Sequence, residues 1–273
     1  TMVMNAGELQ NRGFDASLNI IAMQNLRKEF FWTVNANANR NRNKILKLSD
    51  YLKKVNEEQM KSATAPLPQY HEGASTTTLY VVRSLGVDPV TGKEVYLKRD
   101  GTKTFTWDAN DKVPVGDTNP KVSGTFSTSI NWKDLSCMLG FTYKYGGVVY
   151  NQTLVDKIEN QNVAYTLDNR AGQGRWEKPG DVTSYVGFSP TGANTPASTR
   201  FIMNDNEVRF ASMSVGYRLS AEDFKFLDKA SIDVVALNFT TNDIARLSPI
   251  RMERGLDYPF ARSYTLSMSI MFR

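Results

Sequence analysis

The sequence predicts an all-β fold, an antiparallel up-and-down transmembrane β-barrel segment with long extracellular loops. Three observations carry this reading. Long stretches alternate apolar and polar residues with period two, the connections between them alternate short and long, and aromatic side chains gather at the two strand ends.

Each strand is justified in turn by its alternation. Phe14, Ala16, Leu18, Ile20 and Ala22 alternate with Asp15, Ser17 and Asn19, giving a strand at about 9–23 with one greasy and one wet face. Phe30, Trp32, Val34, Ala36 and Ala38 repeat the pattern at about 30–42 against Thr33, Asn35, Asn37 and Asn39, a face almost wholly of amides. Val122, Gly124, Phe126, Thr128, Ile130 and Trp132 define a third strand, and Leu135, Cys137, Leu139, Phe141, Tyr143 and Tyr145 a fourth. Arg209, Ala211, Met213, Val215, Tyr217 and Leu219 read as the fifth, with a charged outer start. Val235, Leu237 and Phe239 mark a less regular sixth near 230–240. The seventh places Tyr264, Leu266, Met268, Ile270 and Phe272 against Ser263, Thr265, Ser267 and Ser269. Runs of roughly 11 to 15 residues exceed the 5 to 6 usual in globular strands and cover the 9 to 11 that a tilted strand needs to cross a bilayer.

These seven strands are joined by links of 6, 79, 2, 58, 10 and 21 residues. In a meander, that alternation sends every long loop to one end, as in outer-membrane barrels with tight periplasmic turns and large extracellular loops. Phe31, Trp32, Trp132, Tyr217 and Phe272 cluster with Phe30 at the short-turn end, and Tyr143, Tyr145 and Tyr264 at the long-loop end. These rings are expected as two membrane-interface girdles, where an amphipathic aromatic is at home. Seven strands leave two unpaired edges, which lipid does not tolerate. The chain therefore reads as about 7 to 9 strands of a larger barrel, completed by strands outside these residues.

The loops carry local signals. Ser49 or Asp50 is placed to cap a helix through Tyr51, Leu52, Val55 and Met60, ended by Pro66 and Pro68. Residues 76–84 and 94–99 flank Asp88-Pro89-Val90-Thr91-Gly92, a turn signal that predicts a β-hairpin inside the 79-residue loop. Loops of this length are expected to carry function.

Composition excludes several classes. The charge of +5 is spread without a block of like charges, so no nucleic-acid partner is expected. No stretch approaches the roughly 20 consecutive apolar residues of a spanning helix, and mean hydropathy is −0.41. Cys137 is the single cysteine and His71 the single histidine, so neither a disulfide, a cysteine or histidine metal cluster nor a cofactor is expected. Cys137 reads as a small apolar strand residue and His71 as a loop residue. Asp108, Asn110, Asp111 and Asp117 do not have the spacing of a calcium loop. Gly172-Gln173-Gly174 lacks the context of a phosphate loop. No catalytic constellation survives, and an enzyme is not expected. Residues 1–10 carry no basic start, apolar run or cleavage site, so the chain is expected either to stay inside the cell or to be part of a longer one.

In sequence order, Gly7-Glu8-Leu9-Gln10-Asn11-Arg12-Gly13-Phe14-Asp15, Trp32 with the Asn-rich stretch Asn35 to Asn43 and Lys44-Ile45, Val87-Asp88-Pro89-Val90-Thr91-Gly92, Asn119-Pro120-Lys121, Arg175-Trp176-Glu177-Lys178-Pro179-Gly180-Asp181 and Thr199-Arg200-Phe201 resemble the stations of the carboxyl-terminal third of the SusC/RagA family of TonB-linked outer-membrane transporters. The likeness covers essentially the whole chain. Departures are Leu237-Asn238-Phe239-Thr240, where the family reads Asn-Leu-Phe-Thr, and Arg273 after Phe272, where members commonly end on an aromatic.

The resemblance implies a barrel of about 22 strands in the outer membrane of a Bacteroidota-like Gram-negative bacterium. It implies import of glycans or oligopeptides with a SusD-like surface lipoprotein, powered by TonB through a plug. Residues 1–273 would be the carboxyl-terminal barrel part; the plug and amino-terminal domains are expected elsewhere, and this stretch alone would not transport. Arg175 and Trp176 are the candidate ligand-binding pair, since a Trp beside an Arg can stack on a sugar or hold a peptide carbonyl or carboxylate; the competing reading has them pin the 58-residue loop. Two rivals remain. A soluble secreted β-sandwich that binds carbohydrate would bury the Phe14, Leu18 and Ile20 face. A self-contained small barrel would need residues 76–85 as an eighth strand.

Overall fold

The structure, a computed structural model, describes residues 7–162, 164, 168–189, 194–251 and 262–273. In chain order its strands are β1 (Gly7–Asn25), β2 (Phe30–Leu48), β3 (Thr78–Val87), β4 (Glu94–Leu97), β5 (Lys103–Thr104), β6 (Lys112–Asp117), β7 (Val122–Trp132), β8 (Leu135–Tyr145), β9 (Val148–Tyr150), β10 (Ile202–Asn204), β11 (Glu207–Ser220), β12 (Ile232–Leu247) and β13 (Tyr264–Phe272); the helix α1 spans Asp50–Met60. Two compact units emerge, a loop unit of residues 1–12, 42–120 and 147–205, and a sheet unit of 13–41, 121–146 and 206–273.

The sheet unit is the expected meander. Its seven strands pair in chain order, β1-β2-β7-β8-β11-β12-β13, and the pairings from β2 to β13 are antiparallel. The sheet is open, with β1 and β13 at its edges. Its short links are built by local chemistry. Asn25 accepts a hydrogen bond from the Lys28 N–H at 3.1 Å, and Glu29 closes the turn with φ of 50°. Lys133 and Asp134 alone join β7 to β8, with Lys133 left-handed at φ 51°. Between β11 and β12, Ala221, Leu227 and Val235 pack into a small core with Leu219, Phe224, Ile232 and Leu237 around it.

Register sorts the side chains. Trp32, Ile130, Cys137, Val215, Phe239 and Leu266 form one continuous cross-strand row. Ala36, Phe126, Phe141 and Phe210 form another, with Phe126 and Phe141 centroids 6.0 Å apart and Phe141 stacked on Phe210 at 4.7 Å. The opposite face carries rows such as Asn35, Ser127, Gly140, Ser212 and Asn242. Because side chains alternate, a one-residue slip would exchange the faces.

One slip is built in. A bulge between Phe210 and Ser212 shifts the register of β11 against both β8 and β12. Val208 and Phe210 therefore share the apolar face with Met213 and Val215, while Arg209 turns to the polar face opposite Thr142 and Arg246. The fifth strand's start at Arg209 and Ala211 is thus corrected: the extra residue moves the odd positions across the sheet.

The apolar face is uncovered. Phe14 is 55%, Leu18 56% and Leu266 74% exposed, opposite to the burial that a soluble sandwich needs. Residues 78–87 lie in a separate four-stranded sheet, order β5-β4-β3-β6, so they supply no eighth strand to the meander.

This face assignment predicts asymmetric costs in the intact barrel in a bilayer. Leu139→Arg, mid-strand on the apolar face, is expected to lower stability by about 2 to 4 kcal/mol, and Ser127→Lys on the polar face by about 1 kcal/mol or less. Urea unfolding from vesicles reads the difference; equal losses would contradict the faces.

Candidate functional site

Two regions gather polar chemistry, the polar face of the sheet unit and the interior of the loop unit. On the polar face, Arg209 stands directly opposite Arg246, a like-charge pair that costs stability unless anions intervene. Asp243, itself left-handed at φ 55°, pairs with Arg209. Glu207 accepts from Arg246 Nε at 2.8 Å and Nη2 at 2.6 Å and lies 3.8 Å from Lys144. Much of the remainder of that face is Asn, Ser and Thr, interspersed with residues such as Phe31, Met138, Gly140 and Gly216, beside a compact ionic ladder.

In the loop unit, β3 and β4 form the expected hairpin, with Val87 opposite Glu94. Its turn is held by Asp88, whose side chain accepts from the Thr91 N–H at 3.1 Å and hydroxyl at 2.6 Å. Helix α1 begins where expected, the Ser49 hydroxyl accepting from the Leu52 N–H at 3.4 Å. The apolar core gathers Val81, Tyr150, Val155, Ala197 and Phe201, drawn from both long loops.

Beside that core sits a buried ionic triad. Arg200 donates to Glu94 at 2.8 Å and to Glu159 at 2.6 Å, with the three side chains between 0 and 8% exposed. Ser198 donates to the other Glu94 oxygen, and the Tyr96 hydroxyl donates at 3.3 Å to the oxygen that Arg200 holds. Burial pushes the Glu159 carboxyl above the usual range, against the pull of Arg200. Burial also disfavours the Arg200 charge, but Glu94 and Glu159 outweigh it and hold the guanidinium more firmly protonated than usual. The triad ties residues 106 and 41 positions apart in sequence, which makes it a latch between the two long loops.

Arg175 and Trp176 lie in this interior. The Arg175 guanidinium, 6% exposed, donates to the carbonyls of Ala171, Val186, Ile158 and Glu159 and lies 4.2 Å from the centre of the Phe188 ring. Trp176 donates its indole N–H to Pro89 O at 2.9 Å, and its ring lies so close to Gly92 that a Cβ there would strike it. Gly92 also has φ of 69°, so the turn needs glycine twice over. Both side chains tie the 58-residue loop to itself and to the hairpin turn.

The aromatic candidates lie near the ends of their strands. Phe30 and Trp132 are cross-strand partners, Leu135 faces both Trp132 and Tyr217, and Phe272 faces Ile232. Tyr145 faces Val122, and Tyr264 faces Thr241. Phe31 differs, since it pairs with Asn131 and shares the polar face. Trp32 donates to the Thr128 hydroxyl at 2.8 Å, and Tyr143 to Asn37 O at 2.9 Å across Gly124. The triad and the polar-face ladder went unread in sequence, because their partners are distant along the chain and no motif spacing announces them.

The triad predicts a pH-dependent defect. Arg200→Met leaves two buried carboxylates without their cation, a loss of about 3 to 5 kcal/mol. Because Glu159 already binds its proton more tightly folded than unfolded, its contribution is present at low pH and falls as pH rises through the folded value. The variant is therefore expected to show its largest melting-temperature loss at pH 8 and a smaller one at pH 5, in thermal scans of the intact protein.

No protein-family model matches the chain. TonB-dependent receptor P3 of Formosa agariphila is 24% identical over 100% of this chain and 30% of its own length. TonB-dependent receptor P39 of the same organism is 22% identical over 88% of this chain and 27% of its own. The chain thus spans about three tenths of the length of the curated relatives it matches. Among solved structures, the RagAB peptide transporter matches with a TM-score of 0.70 and 20% identity, over 90% of this chain and 26% of that one. The RagAB peptide importer in its open-open state matches at 0.69 and 21%, over 97% and 29%. Sequence relatives and shared fold agree with what the motifs indicate: the chain is similar to about three tenths of the TonB-dependent receptors it matches and shares the fold of part of the RagAB transporter.

Proposed function

We propose that this chain is wall and loop platform of an outer-membrane importer for oligomeric nutrients, glycans or oligopeptides. The observation that carries the reading is the register of the seven-stranded meander, which collects apolar side chains on one face and amides and hydroxyls on the other. An uncovered apolar face suits hydrocarbon, and a hydroxyl- and amide-rich face suits a hydrated lumen. Residues 1–273 supply the carboxyl-terminal part of the barrel, with the remaining strands and the plug in other sequence. The aromatic side chains at the strand ends sit at the two bilayer interfaces.

A SusD-like surface lipoprotein closes over the loop platform, and TonB supplies energy through the plug. Support for the platform comes from its rigidity: the loop unit has its own sheets, apolar core and ionic latch. Support for import comes from the relatives, whose names are those of TonB-dependent receptors and of a peptide transporter. No catalytic constellation was read in the sequence and the relatives are receptors and transporters, so passage rather than conversion is the proposed activity.

Uptake by whole cells tests the proposal. Cells carrying the intact protein are expected to accumulate a fluorescent oligosaccharide mixture or a fluorescent oligopeptide mixture. Deleting either the protein or TonB should abolish that accumulation. Accumulation of neither, or accumulation that persists without TonB, would overturn the reading.

A further inference from the structure

Inside the loop unit, helix α1 and residues 69–72 border a cavity of about 380 Å³. That volume falls within the range of about 300 to 1,000 Å³ usual for small-ligand pockets. Lys53, Asn56, Glu57 and Met60, at spacings of three and four, form one stripe of the helix along the cavity. Asn56 fastens the two walls together: its Oδ1 accepts the Tyr70 N–H at 2.8 Å, and its Nδ2 donates to Tyr70 O. Glu72 anchors the second wall to the end of β2, its Oε1 accepting the Leu48 N–H at 3.0 Å. The cavity is thus built and braced by residues 48–72 alone.

Its lining joins an apolar base to an acidic rim. Leu48 is 8% exposed and Met60 is half-buried, whereas Glu57 and Glu72 are exposed. Lys53 is paired with Asp50 at 3.1 Å rather than with Glu57, one turn further along. The His71 ring lies 4.6 Å from Tyr80, and partial burial, followed by the charge of Arg99, holds its pKa below the usual value. His71 therefore adds no positive charge at neutral pH, and Glu57 and Glu72 leave the lining acidic. Gln69, also in the lining, is 3% exposed, yet its Nε2 has no hydrogen-bond acceptor among the described residues. A buried donor in that state is relieved by an acceptor that enters the cavity.

Three features define the occupant: an apolar stem for Leu48 and Met60, a cationic head for Glu57 and Glu72, and a carbonyl for the Gln69 amide. A lysine or arginine within a peptide has all three, since its methylene stem packs on apolar surface, its head forms charge-assisted hydrogen bonds with carboxylates, and its own backbone supplies the carbonyl. We propose that this cavity binds a basic side chain of an oligopeptide, with Glu57 and Glu72 selecting for the charge. The inference rests on the import reading above and names the cargo chemistry that the loop unit favours.

Isothermal titration calorimetry of the intact protein in detergent tests it, using acetyl-Ala-Lys-Ala-amide and the same peptide with norleucine in place of lysine. Neither peptide has terminal charges, so the comparison isolates the ammonium group. The lysine peptide is expected to bind about tenfold more tightly. A glucosamine trimer, with ammonium groups on sugar rings, should bind no better than the norleucine peptide, which separates a peptide from an amino sugar. The double variant Glu57→Gln, Glu72→Gln should lose the preference, while Glu58→Gln, on the same helix but outside the lining, should keep it. Equal affinity for the two peptides, a glucosamine trimer that binds as tightly as the lysine peptide, or an unchanged preference in the double variant would overturn the proposal. Failure of the import reading looks different, because cells would then accumulate neither cargo while the preference in detergent persisted.

Discussion

The hydrogen-bonded register of the long meander is the constraint on which the rest depends. Hydrocarbon offers no partner for a backbone N–H or C=O, so a strand in lipid must give every such group to its neighbours. Pairing in chain order does this with the least loop closure, and it simultaneously decides which side chains face outward. The rows from Trp32 to Leu266 and from Asn35 to Asn242 are two consequences of one set of backbone pairings. The bulge beside Ala211 shows the rule in operation: one extra residue turns Arg209 from the apolar face to the polar one, where Asp243 meets it.

The loop unit obeys a different economy. Apart from β3 its strands are short, and its buried core is small, with Val81, Val155 and Phe201 among its members. Polar and charged side chains finish the packing. Lys112, 1% exposed, donates to the carbonyls of Met60 and Ser62 at 2.8 Å each, and Arg175 spends its guanidinium on carbonyls in the same way. Such groups are expensive to bury alone and specific once satisfied. They give long irregular segments one arrangement where apolar contacts alone would allow several.

Much of this architecture was legible in the sequence, for physical reasons that also explain what was missed. Period two is set by the strand itself, so Phe14 to Ala22 and Tyr264 to Phe272 announce their faces locally. The hairpin around Asp88 and the cap at Ser49 are equally local, being decided by side chains within three residues of the backbone groups they satisfy. Phe31 lies on the polar face because it neighbours Trp32, a consequence that a count of aromatic residues overlooks. The latch of Glu94, Glu159 and Arg200 was invisible because a charged residue in a loop reads as solvated until its distant partner is known. Arg175 and Trp176 illustrate the same limit: as a motif the pair admits a ligand or a structural reading, and their surroundings commit Arg175 to main-chain carbonyls and Trp176 to the Gly92 turn.

The central claim, that one face meets lipid and the other water, is tested most directly by spin labels placed singly from position 136 to 144 along β8 of the intact protein, in a Cys137→Ala background, reconstituted in vesicles. Collision rates with oxygen and with a water-soluble nickel chelate are expected to oscillate with period two and in opposite phase, oxygen highest at 137, 139, 141 and 143. Rates that vary smoothly along the strand, or that oscillate in phase, would contradict the account.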